Sequence, residues 1–579
     1  MSLLVIVLIS AAFLLLAYRL YGSLLARLLG LDPEAKTPAV EMRDDVDYAP
    51  IEPKFLLSQH FSAIAAAGPI VGPILAGVMF GWLPALLWIL LGCVFIGGVH
   101  DITALTASAR HKARSIAEVV REHMTRRSYV LFLTFVWIAL VYIIVAFTDI
   151  TASSFVGLQK LENGQTVSGG AIASSSLLYL ALPVVMGLLM RYAKLSLGWA
   201  TLIFLPLIGV AIWAGQFIPF DLAATFGLSD AAAQKTWDVL LLAYCFVASM
   251  VPMWILLQPR GHLGGYFLMF ALAGGALGLM FGGKTAQYPA FVGWSTAKGE
   301  PLFPILFITI ACGACSGFHA IIASGTTSKQ LRRETDAKLV GYGSMLLEGM
   351  VAVVSLACVM MLAANAPLLK NPQPNFIYAQ GIGSFLGVIG IPAAFGISFG
   401  LMAFTTFVYD TLDVCTRLGR YVVEELTGWR GWRGRLFATA VTAGVPLLFV
   451  MQKTVDAKGN AIPAWKAFWS LFGASNQLLA ALTLLGVTVW LVRSRRARWA
   501  WVVTGVPTAW MYVMSIWALL LMIGGKFFPA GSFVLPAEPV PWVALLLVGL
   551  AVLMLIEAVR VLSKREPPQP PAAIAVPAS

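Results

Sequence analysis

The chain has 579 residues, of which 59% are hydrophobic and 11% charged, against roughly 25% charged in a soluble globular protein. That is too little polar surface for a water-soluble fold of this size, and no polar block is long enough to form a separate soluble domain. The formal charge of +12 invites nucleic acid as a partner, but the basic residues crowd into short loops between apolar runs, where they set membrane topology, so nucleic-acid binding is set aside.

A helix needs about 20 apolar residues to cross a bilayer. That ruler predicts an all-α polytopic membrane protein of about fifteen spans, near 3–28, 61–79, 82–108, 130–156, 174–191, 196–217, 237–257, 263–282, 302–323, 339–363, 384–408, 435–452, 464–491, 499–523 and 541–562. The first run has no basic leader and no small-residue cleavage site, so it reads as a membrane helix rather than a signal peptide. Arg110, Lys112, Arg114, Arg121, Arg126 and Arg127 follow the third span, Lys160 alone follows the fourth, and Arg191 and Lys194 follow the fifth. This alternation continues to Arg560, Lys564 and Arg565, which predicts an outside N-terminus and an inside C-terminus. The stretch 112–127 reads as a basic amphipathic segment on the cytoplasmic surface. Residues 1–565 are expected to form one transport domain, and the Pro/Ala-rich stretch 566–579 a disordered cytoplasmic tail.

Unwound backbone inside a membrane is tolerated only beside a cavity or other protein, so interrupted helices mark transport sites. In the second span Gly68-Pro69 and Gly72-Pro73 fall within six residues, and each proline removes a backbone donor. Pro252 lies near the middle of the seventh span. By loop parity these two spans run in opposite senses. That fits two inverted five-helix repeats, 61–217 and 237–408, followed by additional helices over 435–562. A seven-plus-seven pairing of spans 2–8 with 9–15 satisfies the same parity.

The ninth span carries Ser316, His319, Ser324, Thr326 and Thr327. Small residues there also serve close helix packing, but an imidazole among so many hydroxyls points to a substrate or cation path. Ionisable residues within spans are costly and need a reason. Glu348, about ten residues into the tenth span, is the first candidate for proton coupling, and His60, Asp101, Asp410 and Asp413 are further candidates. For Asp410 and Asp413 a salt bridge to Arg417 at the inner end of the eleventh span is the bland account. GLMFGGKT at 278–285 matches a phosphate loop, but it follows a membrane helix rather than a strand. Cys312 and Cys315 have redox spacing without a second ligand pair. The expectation is therefore no enzyme, no metal and no cofactor beyond a coupling proton or sodium ion.

The blocks QHFSAIAAAGPIVGPILAG and VHD, then CGACSGFHAIIASGTTSKQ, TTFVYDTLDVCTRLGR and FWSLFGASNQLLAAL occur in this order between about residues 45 and 485. Together they resemble the carbon starvation protein A (CstA) family. The resemblance implies a carrier in a prokaryotic plasma membrane that takes up short peptides or pyruvate-like carboxylates under nutrient limitation. It also implies kinship with the five-plus-five amino acid–polyamine–organocation carriers. By motif match it assigns Gly68, Pro69, Gly72, Pro73, Ser316, His319, Ser324, Thr326 and Thr327 to the site, together with Asn476 and Gln477, and marks Asp413, Thr416 and Arg417 as a family block. The alternative, a nutrient sensor signalling to a cytoplasmic partner, is weakened by the lack of a sizeable soluble output domain. Partners are then the substrate and the lipid bilayer, and the oligomeric state stays open.

Overall fold

The structure is a computed structural model, and it describes residues 2–44, 48–160, 166–252, 254–429, 431–452, 454–455, 461–495 and 497–564. The expected tail at 566–579 lies outside the described residues. Among the described residues twelve helices are long and apolar enough to cross a membrane, and each overlaps one of the fifteen expected spans. The other three expected spans do not form a single helix of that length and composition. The second is a pair of helices, Pro53–Ile64 and Gly68–Phe80, bent by 50°. The seventh is Asp230–Met250, whose first three turns hold Asp230, Lys235 and Asp238. The ninth is interrupted, with Leu302–Thr309 and Phe318–Ile322 separated by eight non-helical residues.

One boundary expectation is corrected. The run 384–408 is not one helix, because Pro374–Val388 ends before Gly390, which takes φ +85°, and Ala393–Thr427 starts afresh after Pro392. A residue with positive φ followed within two positions by proline cannot continue a helix. The new helix then runs for 35 residues, so Asp410 and Asp413 fall in its middle rather than at an inner end.

Burial sorts the helices into layers. The apolar stretches of Ala464–Ser494 and Glu334–Met360 are 94% and 89% buried, against 33% for Leu3–Leu29 and 28% for Leu197–Phe217. On the outer helices Leu8, Ile9, Leu15, Leu16, Trp199 and Leu202 point outward, which suits contact with lipid, where exposed apolar side chains carry no penalty. Helix Arg126–Ser153 packs against both Ala393–Thr427 and Ala464–Ser494, while Gly68–Phe80 packs against Ser344–Met360. The phosphate-loop match has no phosphate-loop fold: Gly278 lies at the end of helix Leu257–Phe281 against Phe385, and residues 282–301 form no helix.

Candidate functional site

The two interrupted helix pairs, Pro53–Ile64 with Gly68–Phe80 and Leu302–Thr309 with Phe318–Ile322, touch at their interruptions. The first breaks over 65–67, just ahead of Gly68-Pro69, where Pro69 occupies the first turn of the second half-helix and needs no donor. Pro73 is accommodated inside that half-helix. Gly68 faces the Cys312 side chain, and a Cβ on Gly313 would lie 3.6 Å from Pro69 Cα. A Cβ on Gly72 would sit 2.5 Å from the Thr309 carbonyl oxygen. Gly72→Ala is therefore expected to lower stability by about 1–3 kcal/mol, read as a lower Tm in detergent. Gly444→Ala, with nothing within 4 Å of its added carbon, should show no such loss.

Unwound backbone needs partners from outside its own helix, and Asn476 supplies several for the second interruption. Its Oδ1 accepts the Phe318 N–H at 3.1 Å, its carbonyl accepts the Gly317 N–H at 3.1 Å, and its Nδ2 donates to Ser316 Oγ at 3.0 Å and to Cys312 Sγ at 3.2 Å. Gln477 Nε2 donates to the Phe307 carbonyl, and Trp88 Nε1 donates to the Ile310 carbonyl at 3.2 Å. Cys312 and Cys315 are both buried and not joined in a disulfide.

At the far side of this interruption His319 sits between two acids. Its Nδ1 lies 2.8 Å from Asp101 Oδ2 and its Nε2 3.1 Å from Glu348 Oε2. Asp101 Oδ1 is also 2.7 Å from His100 Nδ1. An ionised carboxylate can only accept, so both Nδ1 atoms donate to Asp101. All four side chains are fully buried. The Glu348 contact falls off the hydrogen-bond line, so neither of its oxygens has a hydrogen-bond donor, and His100 Nε2 has no partner. An unpartnered buried ionisable group is costly. This one is a place that a proton, a cation or a substrate group would complete.

A second ionic cluster packs beside the first half-helix. Arg260 Nε lies 2.6 Å from Asp410 Oδ1, and its Nη2 pairs with Asp413. The Tyr244 hydroxyl donates to Asp413 Oδ2 at 3.0 Å and accepts from Arg260, while the Ser62 hydroxyl donates to Asp410. Two carboxylates thus face one guanidinium, all buried. This corrects the expected pairing with Arg417, whose Nη2 instead donates to the Ala248 and Val251 carbonyls at 2.6 Å each. It also corrects the reading of Pro252 as a mid-span break. Helix Asp230–Met250 ends ahead of it, and the guanidinium of Arg417 takes carbonyls left open at that end.

Between the clusters His60 Nδ1 lies 2.8 Å from Thr327 Oγ1, with Nε2 unpartnered. Both residues line a narrow cleft of about 40 Å³ together with Thr326 and Asp410. A wider cavity of about 870 Å³ adjoins it, walled by helix Ile116–His123, Ser324, Gly325, Lys329 and Glu425. Ser324 is committed to structure: its hydroxyl donates to the Ala320 carbonyl at 2.7 Å and accepts the Ile116 N–H at 3.1 Å. Thr326 donates to the Ile322 carbonyl at 3.1 Å. Asp149 is likewise a structural hub, accepting the Trp465 N–H at 2.8 Å and a Gln234 amide proton at 3.0 Å.

Sequence reasoning thus picked Asp101, His319 and Glu348, which the fold brings into one cluster, and Asp410 and Asp413, which it brings into another. It missed Arg260, because the eighth span was expected from 263 and a charge ahead of it reads as a loop residue. The helix starts at Leu257, and the arginine buried in its first turn is the signal that two acids elsewhere lacked a partner.

Carbon starvation protein CstA is the family whose pattern this sequence matches, over residues 2–373 and 364–518. The Escherichia coli pyruvate/proton symporter BtsT is 31% identical over 605 aligned residues, spanning 90% of this chain and 81% of that protein. The Escherichia coli peptide transporter CstA is 32% identical, spanning 89% and 80% of the two chains. Its Helicobacter pylori namesake is 31% identical, spanning 90% and 82%. Among solved structures, the Eremococcus coleocola manganese transporter superposes with a TM-score of 0.44 at 14% identity, over 90% of this chain and 99% of that one. MhsT in complex with L-phenylalanine gives 0.45 at 14% identity, over 88% and 98%. On sequence, the chain belongs to the carbon starvation protein CstA family.

Proposed function

We propose that this protein is a proton-coupled secondary carrier that takes up a small carboxylate such as pyruvate, or short peptides, by alternating access across a prokaryotic inner membrane. The observation that carries the reading is the buried Asp101–His319–Glu348 cluster at the meeting point of two interrupted helices, with one carboxyl lacking a donor. A group that binds and releases a proton there changes the charge of the site, and hence its preference for one access state over the other. The names of the relatives, a pyruvate/proton symporter and peptide transporters, give the substrate classes to be tried first. Residues 1–565 act as one transport unit, with fifteen spans, the N-terminus outside and the C-terminus inside. The touching interruptions belong to the second and ninth of those spans, which favours pairing spans 2–8 with 9–15 over the five-plus-five pairing. The narrow cleft between His60, Thr327 and Asp410 is the proposed substrate path, with Ser316, Asn476 and Gln477 holding its backbone in place.

Proteoliposomes test this directly. Labelled pyruvate and dipeptides are offered under an imposed pH gradient or an imposed sodium gradient. Accumulation of either substrate above the equilibrium level under the pH gradient, abolished by a protonophore, is expected. Accumulation driven by sodium alone would replace the proton in this scheme, and no uptake of either substrate under either gradient would sink it.

A further inference from the structure

Outside both ionic clusters, the basic segment after the third span closes on itself through two histidines. His111 follows helix Gly98–Arg110, and His123 ends the surface helix Ile116–His123. Their Nε2 atoms stand 2.8 Å apart, with the rings nearly perpendicular at 84°. The Glu122 carboxylate is the third member, and the three ligand atoms all lie within 4.8 Å of one another. We propose that His111, Glu122 and His123 form a binding site for a resident first-row divalent cation, zinc being the best match, which fastens the surface helix to the end of the third span.

The outer nitrogens supply the independent support. His111 Nδ1 lies 2.6 Å from the Ala107 carbonyl oxygen, which can only accept, so Nδ1 carries the proton and Nε2 presents a lone pair toward His123. On the other ring, His123 Nδ1 lies 3.2 Å from Ser494 Oγ. A metal-bound imidazole is held by such a contact on its second nitrogen. Two imidazoles and one carboxylate with an open fourth position is a zinc donor set. Two nitrogens bound to one zinc at about 2.0–2.1 Å stand about 3.3 Å apart at a tetrahedral angle, so the present gap need open by only about half an ångström. Without the cation the 2.8 Å contact is a hydrogen bond from His123 Nε2 to His111 Nε2; on binding, that proton moves to His123 Nδ1, facing Ser494 Oγ. Nearby Arg114, Arg493 and Arg495 oppose a dication, and the Glu122 carboxylate offsets part of that field. None of the three residues lines the narrow cleft beside His60, so the ion is a fastener rather than cargo. Its consequence lies next door, since the helix it would fasten forms one wall of the 870 Å³ cavity.

The test uses the full chain in detergent, stripped with EDTA and then equilibrated with zinc. Metal content is measured by mass spectrometry after dialysis, and hydrogen exchange is followed over residues 115–125. One zinc per chain is expected for the wild type, with slower exchange in that segment. Zinc affinity should fall about tenfold or more for Glu122→Gln, whose exposed side chain can change without disturbing the fold, and the zinc should be lost in His111→Asn/His123→Asn. Equal zinc content in wild type and double variant, or none in either, overturns the site; so does slower exchange on adding zinc that persists in the double variant.

Discussion

Glu348→Gln is expected to abolish the response of uptake to pH while leaving substrate exchange in place. Glutamine keeps the shape of the side chain, and its amide oxygen can still face His319 Nε2, which lies 3.1 Å from Glu348 Oε2. What is lost is the capacity to bind and release a proton. If position 348 carries the coupling proton, wild-type uptake into proteoliposomes rises as the outside pH falls, because protonation from outside loads the carrier. The variant has a flat profile. Accumulation under a fixed pH gradient should fall to the equilibrium level, a loss of up to about tenfold per pH unit for one coupled proton. Counterflow of labelled against unlabelled substrate at equal pH on both sides should persist, which separates loss of coupling from loss of folding or binding. A variant that keeps the wild-type pH profile removes Glu348 from the coupling step. Asp101 would then be next in line, since it accepts from both His100 and His319.

What the sequence made legible was whatever leaves a local mark. Gly68-Pro69 announces a break because a missing donor and a missing side chain act at the residues themselves, and the structure bends within three residues of that pair. Glu348 and His319 stand out as ionisable groups in apolar runs. Their pairing, and that of His319 with Asp101, was not legible, because it is made across three different helices whose relative rotation no local pattern records. Asn476 was reached through resemblance alone. Its role is to satisfy backbone groups of a segment some 160 positions away, which nothing in its own helix requires. Pro252 misled for the opposite reason. A proline marks the loss of a backbone bond but not whether the helix bends there or stops, and here Arg417 takes carbonyls at the helix end.

Arg260 carries the largest stability effect to be expected in this chain. Its guanidinium is fully buried and holds Asp410 and Asp413 in a cluster closed by Tyr244 and Ser62. Arg260→Met removes the positive charge and leaves two carboxylates facing each other without compensation. Breaking a buried pair from one side costs about 3–5 kcal/mol, and here two partners are orphaned at once. The fraction of protein that stays monodisperse after heating in detergent should therefore collapse at a temperature well below the wild-type value. Adding Asp410→Asn and Asp413→Asn to the same chain removes the orphaned charges, and stability should return most of the way, since a buried ion pair exchanged for neutral groups of similar volume is often close to neutral in energy. Transport gives the discriminating reading. If the cluster only braces the helices Leu257–Phe281 and Ala393–Thr427, the neutral triple variant should carry substrate as the wild type does. If Asp410, which also lines the cleft beside His60 and Thr327, takes part in binding or coupling, the triple variant will be stable and inactive. A triple variant no more stable than Arg260→Met alone would show that the arginine acts through its hydrogen bonds, such as that to the Tyr244 hydroxyl, and not by neutralising the two acids.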